Sequence, residues 1–83
     1  MPNLQPVAQG RALGVTPNDT SPLPFPTVAV SFTATAGQTL KVDTTGGDVG
    51  ITLTFGAGEH IIPLQAVKIY STGTNVTNIS AYG

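Results

Sequence analysis

Large apolar side chains alternate with small polar ones through the middle of this 83-residue chain. In the clearest run, Val49, Ile51, Leu53 and Phe55 are separated by single glycine or threonine residues. A period of two places such side chains on one face of a β-strand. Residues 28–33 and 40–43 show the same period, and no stretch shows a helical one. This pattern constrains the fold to β-structure.

Turn-forming residues separate these runs at 36–38, 44–48, 56–58 and 71–75. The clearest turn is Thr44-Thr-Gly-Gly-Asp48, because consecutive glycines adopt positive φ without steric cost. Short strands divided by regular turns predict an all-β fold, a small antiparallel β-sandwich or barrel of five to six short strands. The predicted core face is Val28, Val30, Phe32, Leu40, Val42, Val49, Ile51, Leu53, Phe55, Ile61, Leu64, Val67, Ile69, Val76 and Ile79.

The first 26 residues contain six of the seven prolines. Because proline fixes φ and lacks a backbone donor, this stretch cannot be a helix interior or a central strand. We therefore predict an extended Pro-rich N-terminal arm over residues 1–26 and a β domain over 27–83. The arm is either a disordered tail or a contact with a neighbouring subunit. Its large apolar residues favour the contact. The candidate contacts with a neighbouring subunit or another partner are Leu4, Val7, Leu13, Val15, Leu23 and Phe25.

Charge is scarce, since 8% of the residues are Asp, Glu, Lys or Arg, against about 25% in an average soluble protein. The strand faces opposite the predicted core carry Thr, Ser, Ala and Gly. Uncharged strand edges pair readily with other chains, and interface centres are depleted in charge. A domain this small that contains no cysteine also gains from association. The sequence therefore predicts a homo-oligomer.

Other partner classes are disfavoured by composition. The net charge is −1, and Arg11, Lys41 and Lys68 are too few for a nucleic-acid or anionic-membrane surface. No stretch approaches the roughly 20 apolar residues of a membrane helix. Without a basic region followed by an apolar run at the N-terminus, we expect synthesis in the cytoplasm. We expect no cofactor.

Few side chains are suited to acid–base or nucleophilic catalysis, since the chain contains four acidic residues, one histidine and no cysteine. Glu59 and His60 are adjacent, so a strand would point them to opposite faces. His60 is then most simply a loop-edge or interface residue. Asp43 and Asp48 flank the glycine turn and either bind a cation with loop carbonyls or bond their own backbone, as Asp does in turns. The second interpretation is favoured, and we expect no enzymatic activity.

Tyr70 and Tyr82 also have two interpretations. They either stack on a sugar or cap the edge of the core, and the absence of tryptophan favours capping. A carbohydrate- or cell-surface-binding β module is accordingly the second functional hypothesis. Its candidate loop groups are Asn18, Asp43, Asp48, Asn75, Asn78, Tyr70 and Tyr82.

Three short motifs occur in a familiar order: Thr16-Pro-Asn-Asp19, Gly46-Gly-Asp-Val49 and Thr72-Gly-Thr74. With this order the chain resembles the spike-base and head-decoration proteins of tailed phages and gene transfer particles. It departs from their pattern at Asn75-Val76 and in the short connection at 56–60.

The resemblance implies a small β-barrel or sandwich that oligomerises on the capsid surface of a virion, with no catalytic residues. Its implied partners are the major capsid protein and a spike or fibre protein. A tail or baseplate adaptor is the alternative location within the same class.

Overall fold

The computed structural model describes residues 11–83, which form seven β-strands and no helix. The strands are β1 (Ala12–Gly14), β2 (Ala29–Ala34), β3 (Gln38–Thr44), β4 (Ile51–Phe55), β5 (Gly58–Ile62), β6 (Ala66–Ile69) and β7 (Thr77–Tyr82). They form two antiparallel sheets, one ordered β1-β7-β2-β5 and the other β4-β3-β6. The predicted all-β antiparallel fold is confirmed, with seven strands where the sequence predicted five or six. The strand that no pattern indicated is β1, which is too short to show alternation.

The core lies between the two sheets and follows the predicted alternation in the central strands. Val30 and Phe32 of β2 and Leu40 and Val42 of β3 are buried, while the residues between them are half-exposed. Burying a side chain of this size contributes about 1.5–3 kcal/mol. The cluster is completed by Ala34, Ala66, Ile69, Val76 and Ile79, with Val15, Leu23, Phe55, Ile62 and Leu64 packed against it.

Four predicted core residues are exposed, and the prediction was wrong for them: Val28, Val49, Ile51 and Ile61. Val28 and Val49 lie outside the strands. Ile51 has the predicted phase, but it begins the edge strand β4 and therefore lies at a corner of the sheet. At Ile61 the phase itself was wrong, because Ile62 is the residue opposite the buried Val30.

Residues 15–27 close one side of the sandwich. Asn18 N donates to Ile69 O at 2.9 Å, Leu23 N to Val67 O at 2.7 Å, and Thr27 N to Ala66 O at 3.0 Å. Each of these donors directly follows a proline. The prolines have no N–H, so the residues after them supply the hydrogen bonds to the β6 carbonyls.

The β6 edge is thereby covered on the side away from β3. The other side of the sandwich is bounded by β4 and β5, which no strand among residues 11–83 pairs on their outer edges. We call this the open side.

Candidate interaction surface

Asp43 holds the glycine loop in place. Its Oδ1 accepts hydrogen bonds from Gly50 N at 2.8 Å and from Tyr70 Oη at 2.7 Å, and Lys68 Nζ lies 3.8 Å from Oδ2. Partial burial disfavours the charged form, but the donors at Gly50 and Tyr70 outweigh it and hold the Asp43 pKa below its usual value. The hydrogen bond to Asp43 in turn raises the pKa of Tyr70. This carboxylate therefore already has donors from its own chain.

Asp48 takes part in the turn itself. Thr44 N donates to Asp48 O at 2.8 Å, and Thr44 Oγ1 donates to Asp48 Oδ2 at 3.1 Å. Gly47 occupies the left-handed region with φ of 96°. These bonds support the turn interpretation of the two acids. Residues 11–83 also bring together no group of three side chains suited to a metal ion.

Asp19 was not predicted as a functional residue, yet it ties two distant segments together. Its Oδ1 accepts from Thr72 N at 2.8 Å and its Oδ2 from Thr72 Oγ1 at 2.6 Å. The side-chain and backbone hydrogen bonds of Thr72 lower the Asp19 pKa. Asp19 belongs to the first motif of the resemblance and Thr72 to the third, so these two motifs contact each other. Their co-occurrence in the sequence was the signal that could have found this pair.

Two lysines lie over the ring of Tyr70, with Lys41 Nζ 4.9 Å and Lys68 Nζ 4.7 Å from its centroid. The hydroxyl of Tyr82 is 2.9 Å from Ser31 Oγ. Both tyrosines thus make polar contacts within the chain. The arrangement concentrates Lys41, Lys68 and Asp43 on the outer face of the three-stranded sheet, meaning the face turned away from the other sheet.

His60 lies in β5 with its ring against the core. The ring stacks on Phe32 with centroids 5.4 Å apart, and Nε2 lies 2.8 Å from Gly56 O. Glu59 is exposed on the opposite face, as the alternation predicts. The pair therefore does not converge on a common site.

The strands of the open side carry exposed apolar side chains. Ile61 of β5 is 67% exposed and Ile51 of β4 41%, and Val49, in the loop that precedes β4, is 71% exposed. Glu59 is the one charged residue of β4 and β5. An open, nearly uncharged strand edge with exposed aliphatic groups is a surface for pairing with another chain.

A depression of about 450 Å³ adjoins this side, on the outer face of the four-stranded sheet. It lies where the pairing of β2 with β7 is irregular, and Asn78 there has a φ of 54°. The depression is lined by Ser31, Phe32, Thr33, Glu59, His60, Ile61 and Asn78. Its position extends the open side onto the face of the sheet.

The predicted contact residues fall into three groups. Leu4 and Val7 lie outside the described residues. Leu13 is exposed on β1. Val15 and Leu23 pack against the core of their own chain, and Phe25 is buried beneath the Arg11 guanidinium, 4.5 Å from its ring centroid. Contact of these six residues with another subunit stays a prediction.

The fold resembles that of a chain in the solved capsid of a native GTA particle, computed with C5 symmetry. The two chains share 28% sequence identity over 90% of this chain and 83% of that chain, with a TM-score of 0.71. No protein-family model and no curated protein matches this sequence. The structural similarity spans most of both chains.

Proposed function

We propose that this chain is an oligomeric capsid decoration or spike/fibre base subunit, attached to the head of a tailed phage or a related gene transfer particle. The observation that carries the proposal is the similarity in both sequence and fold to a chain of a particle capsid. That similarity supports a structural role in a virion. The narrower assignment to the head surface rests on the order of the three motifs in the sequence.

The chemistry of the chain supports a role in which contact, and not catalysis, is the activity. Asp19, Asp43 and Asp48 each hold a loop or segment of their own chain. The open side instead presents exposed aliphatic groups and the edges of β4 and β5, which no strand among residues 11–83 pairs. Such a surface suits repeated subunits, because many weak identical contacts combine in a closed assembly. The major capsid protein and a spike or fibre protein are the proposed partners.

The direct test is attachment to particles that lack this subunit. Heads assembled without it are incubated with the purified chain, sedimented and imaged by cryo-electron microscopy. We expect the chain to sediment with the heads and to add density at symmetry-related positions on the capsid. Density on the tail would favour the adaptor alternative. Retention on glycans with no binding to heads would overturn the proposal in favour of a carbohydrate-binding module.

The contribution of the arm is tested separately. Deleting residues 1–10 removes Leu4 and Val7 but none of the described strands. We expect the truncated chain to keep its β-sheet circular dichroism and to bind heads more weakly. The matched control is the full-length double variant Leu4→Ser, Val7→Ser, which keeps the length and loses the apolar groups. Unchanged binding by both variants would refute a role for residues 1–10 in attachment and leave the open side as the surface to examine.

A further inference from the structure

Glu59 differs from the other charged side chains of the chain in what surrounds it. The three aspartates accept hydrogen bonds from their own chain, and each of the three basic side chains lies over an aromatic ring. Glu59 is exposed and forms no ion pair within residues 11–83. Residues 1–10 contain no acidic or basic side chain. The charge of Glu59 is therefore available to a partner.

Glu59 stands on one side of the depression on the outer face of the four-stranded sheet, which has a volume of about 450 Å³. Thr33 lies opposite Glu59 across the β2–β5 pairing, and Ser31 lies opposite Ile61. These four side chains share the outer face, because directly paired residues point to the same side of a sheet. The short side chains of β2 thus lie lower than the longer ones of β5, and the depression follows β2.

A β-bulge borders the depression on its other side. Between two paired positions, β7 has two residues where β2 has one. Asn78 lies in this interval with a φ of 54°, a conformation that residues other than glycine seldom adopt. Its side chain is exposed, and the residue lines the depression. Bulges often redirect a side chain beside a functional surface, and this one brings an amide to the depression that Glu59 borders.

The lining of the depression fits a cation carried on an aliphatic stem. It contains one carboxylate, one amide and two hydroxyl groups, but no lysine or arginine. Ile61, which is 67% exposed, supplies apolar surface beside the carboxylate. Arginine and lysine combine an apolar stem with a charged head, so either side chain can pack on Ile61 while its head donates to Glu59. Such charge-assisted hydrogen bonds are stronger than neutral ones.

The adjoining strand edge indicates that the cation belongs to a polypeptide. No strand among residues 11–83 pairs with the outer edge of β5, so a segment that lies along it can hydrogen-bond to its backbone. A side chain directly opposite Glu59 would point to the same face, with the two Cβ atoms about 4.5–5.5 Å apart. A free cation would use the carboxylate alone and leave the edge uncovered.

The basic side chains of this chain are poorly placed to supply that cation from a second copy. Lys41 and Lys68 lie over Tyr70 on the other sheet. Arg11 stacks on Phe25. A second copy would have to release one of these contacts, whereas another protein can bring a basic residue that has no such contact.

We propose that this depression receives an arginine or lysine side chain from the protein to which the subunit attaches, with Glu59 as its counter-ion. The inference rests on the attachment role proposed above and specifies the chemistry of the partner. The partner segment would present a basic residue opposite Glu59 and an apolar contact to Ile61. Both residues lie on the same strand and the same face.

A charged residue on an edge strand can instead serve to prevent pairing with other chains. The two roles of Glu59 make opposite predictions for Glu59→Gln, which keeps the shape of the side chain and removes its charge. A counter-ion role predicts weaker binding to the partner. An edge-protecting role predicts unchanged binding and stronger self-association, which light scattering of the free chain detects.

Binding to heads that lack the subunit is measured by sedimentation over a range of chain and salt concentrations. We expect Glu59→Gln to bind about three- to tenfold more weakly, since one ion pair near the surface contributes modestly. Its binding should also depend less on salt than that of the natural chain. Glu59→Lys should bind more weakly still. Asp48→Asn is the matched control, because it removes the same charge from an exposed residue outside the depression, and it should bind normally.

The apolar contact is tested by Ile61→Ser, with Val49→Ser as the control at an exposed aliphatic residue outside the depression. We expect Ile61→Ser alone to weaken binding. Circular dichroism verifies that each variant keeps its β-sheet structure.

The outcomes separate this inference from the proposed function. Normal binding by Glu59→Gln, or equal losses in Glu59→Gln and Asp48→Asn, would overturn the inference and leave the proposed function standing. Loss of self-association in Glu59→Gln with normal binding to heads would assign the cation to a second copy and overturn the choice of partner. Failure of the natural chain to bind heads would refute the proposed function and this inference together.

Discussion

Thr27 offers a sharp test of how the Pro-rich segment is held on the β domain. The residue is 1% exposed, and its hydroxyl makes two hydrogen bonds to the connection that precedes and begins β6. Thr27 Oγ1 donates to Leu64 O at 2.5 Å and accepts from Ala66 N at 2.9 Å. A single buried hydroxyl therefore satisfies one backbone acceptor and one backbone donor.

The perturbation is Thr27→Val, which keeps the shape of the side chain and removes the hydroxyl. Ala66 N would then lose its partner in a buried site, and Leu64 O would lose a donor. An unsatisfied buried group costs about 1–3 kcal/mol, so we expect Thr27→Val to lower the free energy of unfolding by about 2–4 kcal/mol. Thr27→Ser is the control, because it keeps both hydrogen bonds and loses one methyl group, at a cost of about 1 kcal/mol.

Urea denaturation followed by circular dichroism measures both variants. It is done at two protein concentrations, because self-association adds to apparent stability. We expect the order natural chain, Ser variant, Val variant, with unchanged slopes. In a domain of this size 1 kcal/mol corresponds to about 4–8 °C in Tm, so thermal melts resolve the same order. A Val variant as stable as the natural chain would refute the argument, because it would mean that the two backbone groups find other partners.

Further predictions concern pH and backbone conformation. Asp19 and Asp43 have pKa values below the ordinary 3.8. Their contribution to the free energy of unfolding is therefore fully present above pH 3.8 and is lost as the pH falls through the lowered pKa values. Measuring the free energy of unfolding during acid titration should show this loss, and a flat profile would contradict it. Gly73→Ala should destabilise more than Gly47→Ala in urea titrations. Both glycines have positive φ, but a Cβ at residue 73 would lie 2.9 Å from Lys41 Cδ, whereas at residue 47 nothing lies within 4 Å. Equal losses would mean that the lysine moves aside freely.

The sequence predicted which side chains point toward the core better than it predicted which of them are buried. Alternation marked Val30 and Leu40 correctly, because β2 and β3 each have a strand on both sides and a sheet against one face. It also gave Ile51 the correct phase, but periodicity carries no information on whether a strand is central or at an edge. The doublet Ile61-Ile62 was ambiguous, since either residue continues an alternating run.

The alternation of apolar and polar residues did not predict the buried small residues. Ala66 and Ala81 are completely buried and Thr27 nearly so, but alanine and threonine also populate exposed strand faces. Ala81 lies in β7 between β1 and β2. The burial of Thr27 and Ala66 follows from how closely residues 15–27 approach β6. That approach depends on hydrogen bonds between segments nearly 40 residues apart in the chain, which no local periodicity encodes. The contact of Asp19 with Thr72 escaped prediction for the same reason.

Low charge predicted association, but it did not identify the associating surface. The folded chain gathers Lys41, Lys68 and Asp43 around Tyr70 on one sheet face. A face with this many ionised groups is costly to desolvate, because each charge leaving water must be fully compensated. The strands β4 and β5 of the open side carry one charged residue, Glu59, so covering this side removes fewer ionised groups from water. For the proposed assembly, this distribution of charge favours an arrangement in which the outer face of the three-stranded sheet remains in water and the open side is covered by a neighbour.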